Sequence, residues 1–300
     1  MKKTLLALSV LVASTAANAG IELYNQDGAS VTLGGDLEVV YVKGTAEDSS
    51  VEQQIQDADL KIDIRKVVND ELSVGAYWEF QGDDNDTTEG GSANMGDVYF
   101  AFYTASYGSV KIGDVCSIAD DLGVGEDYQF GVTAAVDQVD ACADEAVRWD
   151  YSNDQMYVSA AYRDNQRSDA VADLADIKVG FMAGDFDLMG YYGTSNSAEQ
   201  DTFALEARYG LDAMNLALGY YDVEDAGNVV ALAADYTMDK WLFAAGVNLI
   251  DADASDDDTT EYFLNAGYAV ASATTLYAEI GGNDVDGSEL GYAVGAKVEF

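Results

Sequence analysis

Apolar and polar side chains alternate with a period of two along almost the whole chain, and few folds accept such a pattern. In the last segment Leu290, Tyr292, Val294, Ala296, Val298 and Phe300 share one parity, and Gly291, Ala293, Gly295, Lys297 and Glu299 the other. Leu72, Val74, Ala76, Trp78 and Phe80 alternate in the same way with Ser73, Gly75, Tyr77 and Glu79. Around Leu60, Ile62 and Ile64 the intervening residues are Asp59, Lys61, Asp63 and Arg65, a fully charged face. Alternation over about 10 residues is a strand with one apolar and one polar side. Helical spacing of comparable length is absent. So is proline, which would remove a ladder donor.

Short connections are expected near Asn69-Asp70, Tyr107-Gly108, Asn153-Asp154, Gly184-Asp185, Asp212, Asp239 and Ser272. Longer polar stretches separate them at 44–54, 83–94, 115–143, 164–173, 195–201, 223–227, 251–258 and 284–288. Their strict alternation predicts about sixteen strands in up-and-down order, with both termini on the short-turn side. A soluble sandwich would instead show Greek-key connections. The aromatics agree with a membrane barrel. Tyr151, Tyr209, Tyr236 and Tyr268 lie on the apolar parity just before short turns, and Trp241 just after one. Tyr41, Tyr192 and Tyr220 lie on the same parity beside long loops. Two outward belts of amphipathic rings are what a bilayer's two interfaces select.

The N-terminus reads as an address. Met1-Lys2-Lys3, the apolar run Leu5 to Ala13 and the small-x-small site Ala17-Asn18-Ala19 form a secretory signal over residues 1–19, leaving a barrel over 20–300. Composition then removes function classes. There is no histidine, so no Ser-His-Asp or Cys-His centre can be built, and neither a cofactor nor a metal is expected. Asp+Glu 55 against Lys+Arg 14 gives a net charge of −41, which repels phosphate backbones and rules against nucleic acid. Hydrophobic residues at 49% are too many for a disordered acidic chain.

Several stretches resemble the general diffusion porins of Gram-negative outer membranes, most closely the acidic members from marine gamma-proteobacteria. They are Glu22-Leu23-Tyr24-Asn25-Gln26-Asp27-Gly28 as a first strand, Asn69-Asp70-Glu71-Leu72, Tyr77-Trp78-Glu79-Phe80-Gln81-Gly82, and Tyr107-Gly108-Ser109 with Gly113. The terminal Gly295-x-x-Val298-x-Phe300 is similar to the signal read by the barrel-assembly machinery. The resemblance implies a sixteen-stranded antiparallel transmembrane β-barrel with an inward-folded third loop. It also implies a homotrimer set among outer-membrane lipid and lipopolysaccharide, reached by export through the periplasm. The longest connection, 115–143, takes the part of that constriction loop, with Asp120-Asp121-Leu122-Gly123 and Phe130-Gly131 matching the family pattern. Where enterobacterial members carry Pro-Glu before Phe-Gly, Tyr128-Gln129 stands here, and Glu126 and Asp127 are the expected replacements. Positions matching the family's basic cluster read Asp36, Asp59 and Asp114, while Lys61, Arg65 and Arg148 are the cations left nearby on the lumen parity.

An acid-biased eyelet formed by Asp114, Asp120, Asp121, Glu126 and Asp127 would concentrate small cations in a narrow aqueous gap. The expected function is therefore passive diffusion of ions and small hydrophilic solutes, with a preference for cations. Acid runs such as Asp256-Asp257-Asp258 are expected only to solvate loops. Cys116 and Cys142 are the only cysteines and bracket the loop, and an exported pair should be oxidised. Such a bridge stabilises by about 3–4 kcal/mol in the chain-entropy model. Two other readings compete. A sugar-selective channel would use lumen-parity Tyr77, Tyr99, Tyr157, Tyr191, Tyr221 and Tyr277, and a plugged barrel would serve as an adhesin or anchor.

Overall fold

The computed structural model describes residues 20–82, 94–131, 142, 145–164, 173–196, 199–253 and 258–300. The expected leader 1–19 lies outside the described residues, as do the acid runs at 83–86 and 256–257 and the stretch 132–141. Seventeen strand segments follow one another: β1 (Ile21–Gln26), β2 (Ala29–Lys43), β3 (Glu52–Val67), β4 (Leu72–Gln81), β5 (Asn94–Thr104), β6 (Gly108–Asp114), β7 (Ala146–Ser152), β8 (Met156–Arg163) and β9 (Leu174–Ala183). Then come β10 (Phe186–Ser195), β11 (Gln200–Leu211), β12 (Met214–Val223), β13 (Gly227–Met238), β14 (Trp241–Ala252), β15 (Thr259–Ala271), β16 (Thr274–Asn283) and β17 (Gly291–Glu299). From β2 to β17 each pairs antiparallel with the next, and β17 returns to pair with β2.

Seventeen segments make sixteen staves. β17 pairs with Asp36 to Lys43 of β2, and β1 pairs with Ala29 to Leu33 along the same edge. Between them Phe300 and Gly35 exchange two backbone hydrogen bonds of 2.9 Å. β1 therefore continues β17 as one composite stave, and the ring has no open edge there. The expected first strand, Glu22 to Gly28, divides at a two-residue hairpin in which Asp27 (φ 53°) and Gly28 (φ 70°) are both left-handed. Asp-Gly is the dipeptide that such turns favour, so the signal was present in the sequence.

All the expected short turns occur. The longer connections are trimmed by pairing: β3 begins at Glu52, because Glu52 to Gln54 pair with Val42 to Val40, so the loop over 44–54 ends early. Between β12 and β13 only residues 224–226 remain outside the ladder, no longer than a short turn. Among the described residues no helix is long and apolar enough to cross a membrane; the crossing elements are strands.

The apolar parity faces outward. Leu205, Leu216, Leu218, Leu232, Leu264 and Val294 all stand exposed on the outer wall. On the short-turn side Trp241 packs its ring against Tyr268 at 4.8 Å, and Phe186 packs against Tyr209 at 4.4 Å. Tyr41 and Tyr192 stand exposed at the opposite rim. Both aromatic belts are thus outside, where lipid interfaces take them.

The seam supplies a test. A side chain at Gly35 would run into the Asp59 carbonyl and the Phe300 ring. Gly35→Val is expected to cost about 1–3 kcal/mol by overpacking. The measurement is the temperature at which the folded form's fast electrophoretic migration is lost, and that temperature should fall.

Candidate functional site

Residues 115–131 leave the wall at the end of β6 and run along the inner face of the ring. A 3₁₀ turn, Ile118–Asp121, starts this path. Asp176 of β9 accepts the N–H groups of Ile118 (2.8 Å) and Ala119 (3.1 Å). Glu206 of β11 accepts that of Gly123 at 2.8 Å. Glu279 of β16 accepts three in succession, from Tyr128 (2.8 Å), Gln129 (2.7 Å) and Phe130 (2.7 Å). Asn265 of β15 donates both to the Glu126 carbonyl (2.6 Å) and to Glu279 (2.8 Å). Gln129 reaches Glu38 of β2 at 3.2 Å. A segment bonded to staves on so many sides of a closed ring, through their inward residues, lies within it.

Apolar contacts glue it there. Ile118, Ala119, Leu122 and Val124 join Leu174, Met189, Tyr191, Tyr221, Val229 and Phe263 in one buried cluster. Tyr128 stacks on Tyr277 with ring centres 3.8 Å apart. Phe130 lies where Cβ atoms on Gly281 and Gly291 would collide with it, so those two glycines form its socket. Inward positions of β8–β17 are consequently buried in large part, whereas those of β3 to β6 stay mostly half-exposed. Among the described residues, the segment covers one side of the lumen and leaves the β3–β6 wall facing its water.

The expected constriction acids take different places. Asp121 is pinned by two cations at 2.6 Å, Arg148 of β7 and Lys178 of β9. Asp120 lies 3.7 Å from the Cys142 sulfur. Asp127 folds back over Gly131. Glu126 reaches lumen water, yet the surrounding wall desolvates it and Asp235 and Asp127 stand near, which together push its carboxyl above the usual carboxylate range. Burial pushes Asp120 the same way and lifts the Tyr128 phenol to about 12. Asp114 departs from expectation. It pairs with Val98 on the parity of outward Ile112, not on that of Lys111 and Gly113, because alternation within β6 overrides the alignment that suggested it. The Cys116–Cys142 disulfide is formed and ties the returning chain to the end of β6.

The wall residues do meet. Lys61 stands 2.8 Å from Asp36, 3.6 Å from Asp59 and 3.5 Å from Glu79. Asp36 and Asp59 are direct cross-strand partners. Carboxylate oxygens of Asp36, Asp57 and Asp59 lie within 4.8 Å of one another. Arg65 is held by Asp63 at 2.8 Å, and Arg148 also by Asp150 at 3.0 Å. Sequence reasoning missed Glu38, Asp176, Glu206 and Glu279, the acids that hold the loop, and the cations Lys178 and Arg208. Arg208 donates to the Gly123 carbonyl at 2.6 Å. Their parity was readable, but their height in the barrel was not.

A sealed ring of strands, apolar outside and charged inside with a segment bonded along its inner face, defines an outer-membrane barrel of the porin class. The chain belongs to the Gram-negative porin family, whose model matches residues 5–288. It is similar to the porin-like protein H of Photobacterium profundum, at 31% identity over 100% of both chains. Outer membrane protein U of Vibrio parahaemolyticus is 29% identical over 100% of this chain and 86% of that one. Among solved structures, the OmpT loop L8 deletion mutant of Vibrio cholerae superposes with a TM-score of 0.78 at 23% identity, over 91% of this chain and 100% of that one. A trimer form of OmpT gives 0.75 at 21%, over 91% and 100%. The chain is thus an integral outer-membrane protein of a non-enzymatic, channel-forming family.

Glu279→Ala would leave three loop N–H groups without their acceptor, each costing about 1–3 kcal/mol. The expected result is a folded barrel with faster proteolytic cleavage within 115–143 and a noisier open-channel current.

Proposed function

We propose that the chain forms a water-filled channel for passive diffusion of ions and small hydrophilic solutes, that it prefers cations, and that it works as a homotrimer. The charge balance of the lumen carries this reading. Lys61, Arg65, Lys111, Arg148, Lys178 and Arg208 each have a carboxylate within 4.0 Å, so these six make no basic wall that would attract anions. On the uncovered wall Asp57, Asp59, Asp63, Glu79 and Asp97 outnumber Lys61, Arg65 and Lys111. Excess negative charge inside low-dielectric walls focuses a potential that gathers cations. The segment 115–131 narrows the passage in this reading, with Glu126 as its exposed acid. The trimer is supported by the solved trimer form of OmpT, and Phe300, whose ring lies at the seam, suits recognition before closure. Residues 1–19 are proposed to direct export.

Single-channel conductance in a planar bilayer, with the reversal potential taken under a KCl gradient, is the test. Steps in groups of three and a cation-selective reversal are expected; an anion-selective reversal would sink the charge argument. A unit charge about 7 Å from the ion path in water favours a cation and disfavours an anion by about 0.6 kcal/mol each, so at low salt Asp59→Asn and Glu79→Gln should each lower the cation-to-anion ratio by up to about sevenfold, and less as salt screens the charge. Acidification works in the same direction. The raised Glu126 carboxyl takes up its proton at a higher pH than a free glutamate, so on acidification the part of the cation preference it supplies should be half lost at a pH above ~4.3.

A further inference from the structure

The uncovered wall carries a feature that plain ion permeation does not use. Tyr77 of β4 and Tyr99 of β5 are cross-strand partners on the inner face, and their rings stack 4.9 Å apart, 13° from parallel. Tyr103 continues the row toward the short-turn end. Two of the protein's own cations already sit on this row. The Arg65 guanidinium lies over Tyr103 at 4.2 Å, and the Lys111 ammonium is 5.5 Å from the Tyr99 ring centre. Among the described residues no cation lies over Tyr77. Its hydroxyl instead donates to Glu79 at 3.3 Å, with Asp97 and Asp59 within electrostatic reach.

The carboxylates around Tyr77 are under-neutralised. Glu79, Asp59 and Asp36 share the ammonium of Lys61, which is closest to Asp36, with Lys297 acting on Asp36 from farther away. Asp97 forms no ion pair within 4.0 Å among the described residues, and feels Lys111 and Arg148 only at longer range. A half-buried ring beside carboxylates that outnumber the nearby cations favours a particular kind of solute. Strongly hydrated inorganic ions keep their water and gain little from a ring. A guanidinium is planar and weakly hydrated, so it can lie on the ring and donate in-plane to a carboxylate, as Arg65 does between Tyr103 and Asp63. A neutral polyol would cover the ring but leave the acids without a counter-charge.

We infer that Tyr77, with Tyr99 behind it and Glu79 and Asp97 beside it, is a binding site for small organic cations, above all guanidinium groups on a short apolar stem. The site rests on the reading of the lumen as an aqueous passage, in which it would hold such solutes at the wall opposite the loop. It makes the channel one of graded affinity for cationic nutrients.

The test is titration calorimetry of the folded protein in detergent with butylguanidinium, against butylurea as the neutral near-isostere. Saturable binding of the cation and none of the urea is expected. Tyr77→Leu should weaken binding roughly two- to thirtyfold, the range of a cation–π contact, while Tyr77→Phe keeps the ring and should stay within about twofold. Glu79→Gln should also weaken it, and it decides the matter if Tyr77→Leu does not fold. Equal behaviour of cation and urea, or binding indifferent to both Tyr77→Leu and Glu79→Gln, overturns the site. Conductance of the same preparation is scored separately. Current without binding removes the site and keeps the porin reading, while binding without current keeps the site and removes the diffusion channel.

Discussion

In hydrocarbon no water is available to satisfy a backbone N–H or C=O, and each unpaired group costs several kcal/mol. The rest of this structure depends on that constraint. It forces the strands to close, and closure here is made by a stave in two pieces: β17 ends at Glu299, β1 takes over at Ile21, and Phe300 bonds Gly35 between them. β17 and β1 thus form one continuous edge for β2. Once the ring is sealed, every strand has an inside and an outside, and the period-two pattern assigns each residue to one of them.

The same rule returns inside the lumen in a different form. The segment 115–131 makes almost no secondary structure, so its N–H groups need acceptors from elsewhere. Asp176, Glu206 and Glu279 provide them, and a charged acceptor makes a stronger bond than a neutral one. Buried carboxylates would be costly alone. Here each faces several donors, and the apolar cluster around Ile118, Leu122 and Phe263 excludes water from the contact. Acidic residues in this chain therefore have two distinct duties. Some are spent on holding backbone, and only the others are left to set the potential of the passage.

That division explains what could be read in advance. Strand identity, turn positions, outward aromatics and the disulfide are local or periodic properties, and alternation at Leu72–Phe80 or Leu290–Phe300 displays them directly. The inward parity of Asp36, Asp59, Lys61, Arg65 and Arg148 followed from the same pattern, and the register brings the first three together. Height along the barrel and partnership across it are not periodic. Glu279 reads like any of 55 acids until Phe130 is seen seated over Gly281 and Gly291. Asp114 matches the family's basic position by alignment, but the alternation of β6 puts it on the outward parity of Ile112. Asp121 lies on the loop, where Arg148 and Lys178 both pair with it.

The lumen is consequently asymmetric by construction rather than by the opposition of an acidic loop to a basic wall. One side is a dry contact, in which Tyr191, Tyr221 and Tyr277 are buried and cannot line a path. The other side, β3 to β6, keeps half-exposed acids, the three rings of the tyrosine row and cations already paired to carboxylates. A solute that avoids the dry side must travel beside that wall, where no anion-attracting surface balances the acids. In the channel and site proposed above, field and aromatic row act on the same path, so a preference for charge sign and one for solute shape would be properties of one surface. The physical origin of both is the placement of the loop, which is held where it is by three carboxylates on the opposite staves.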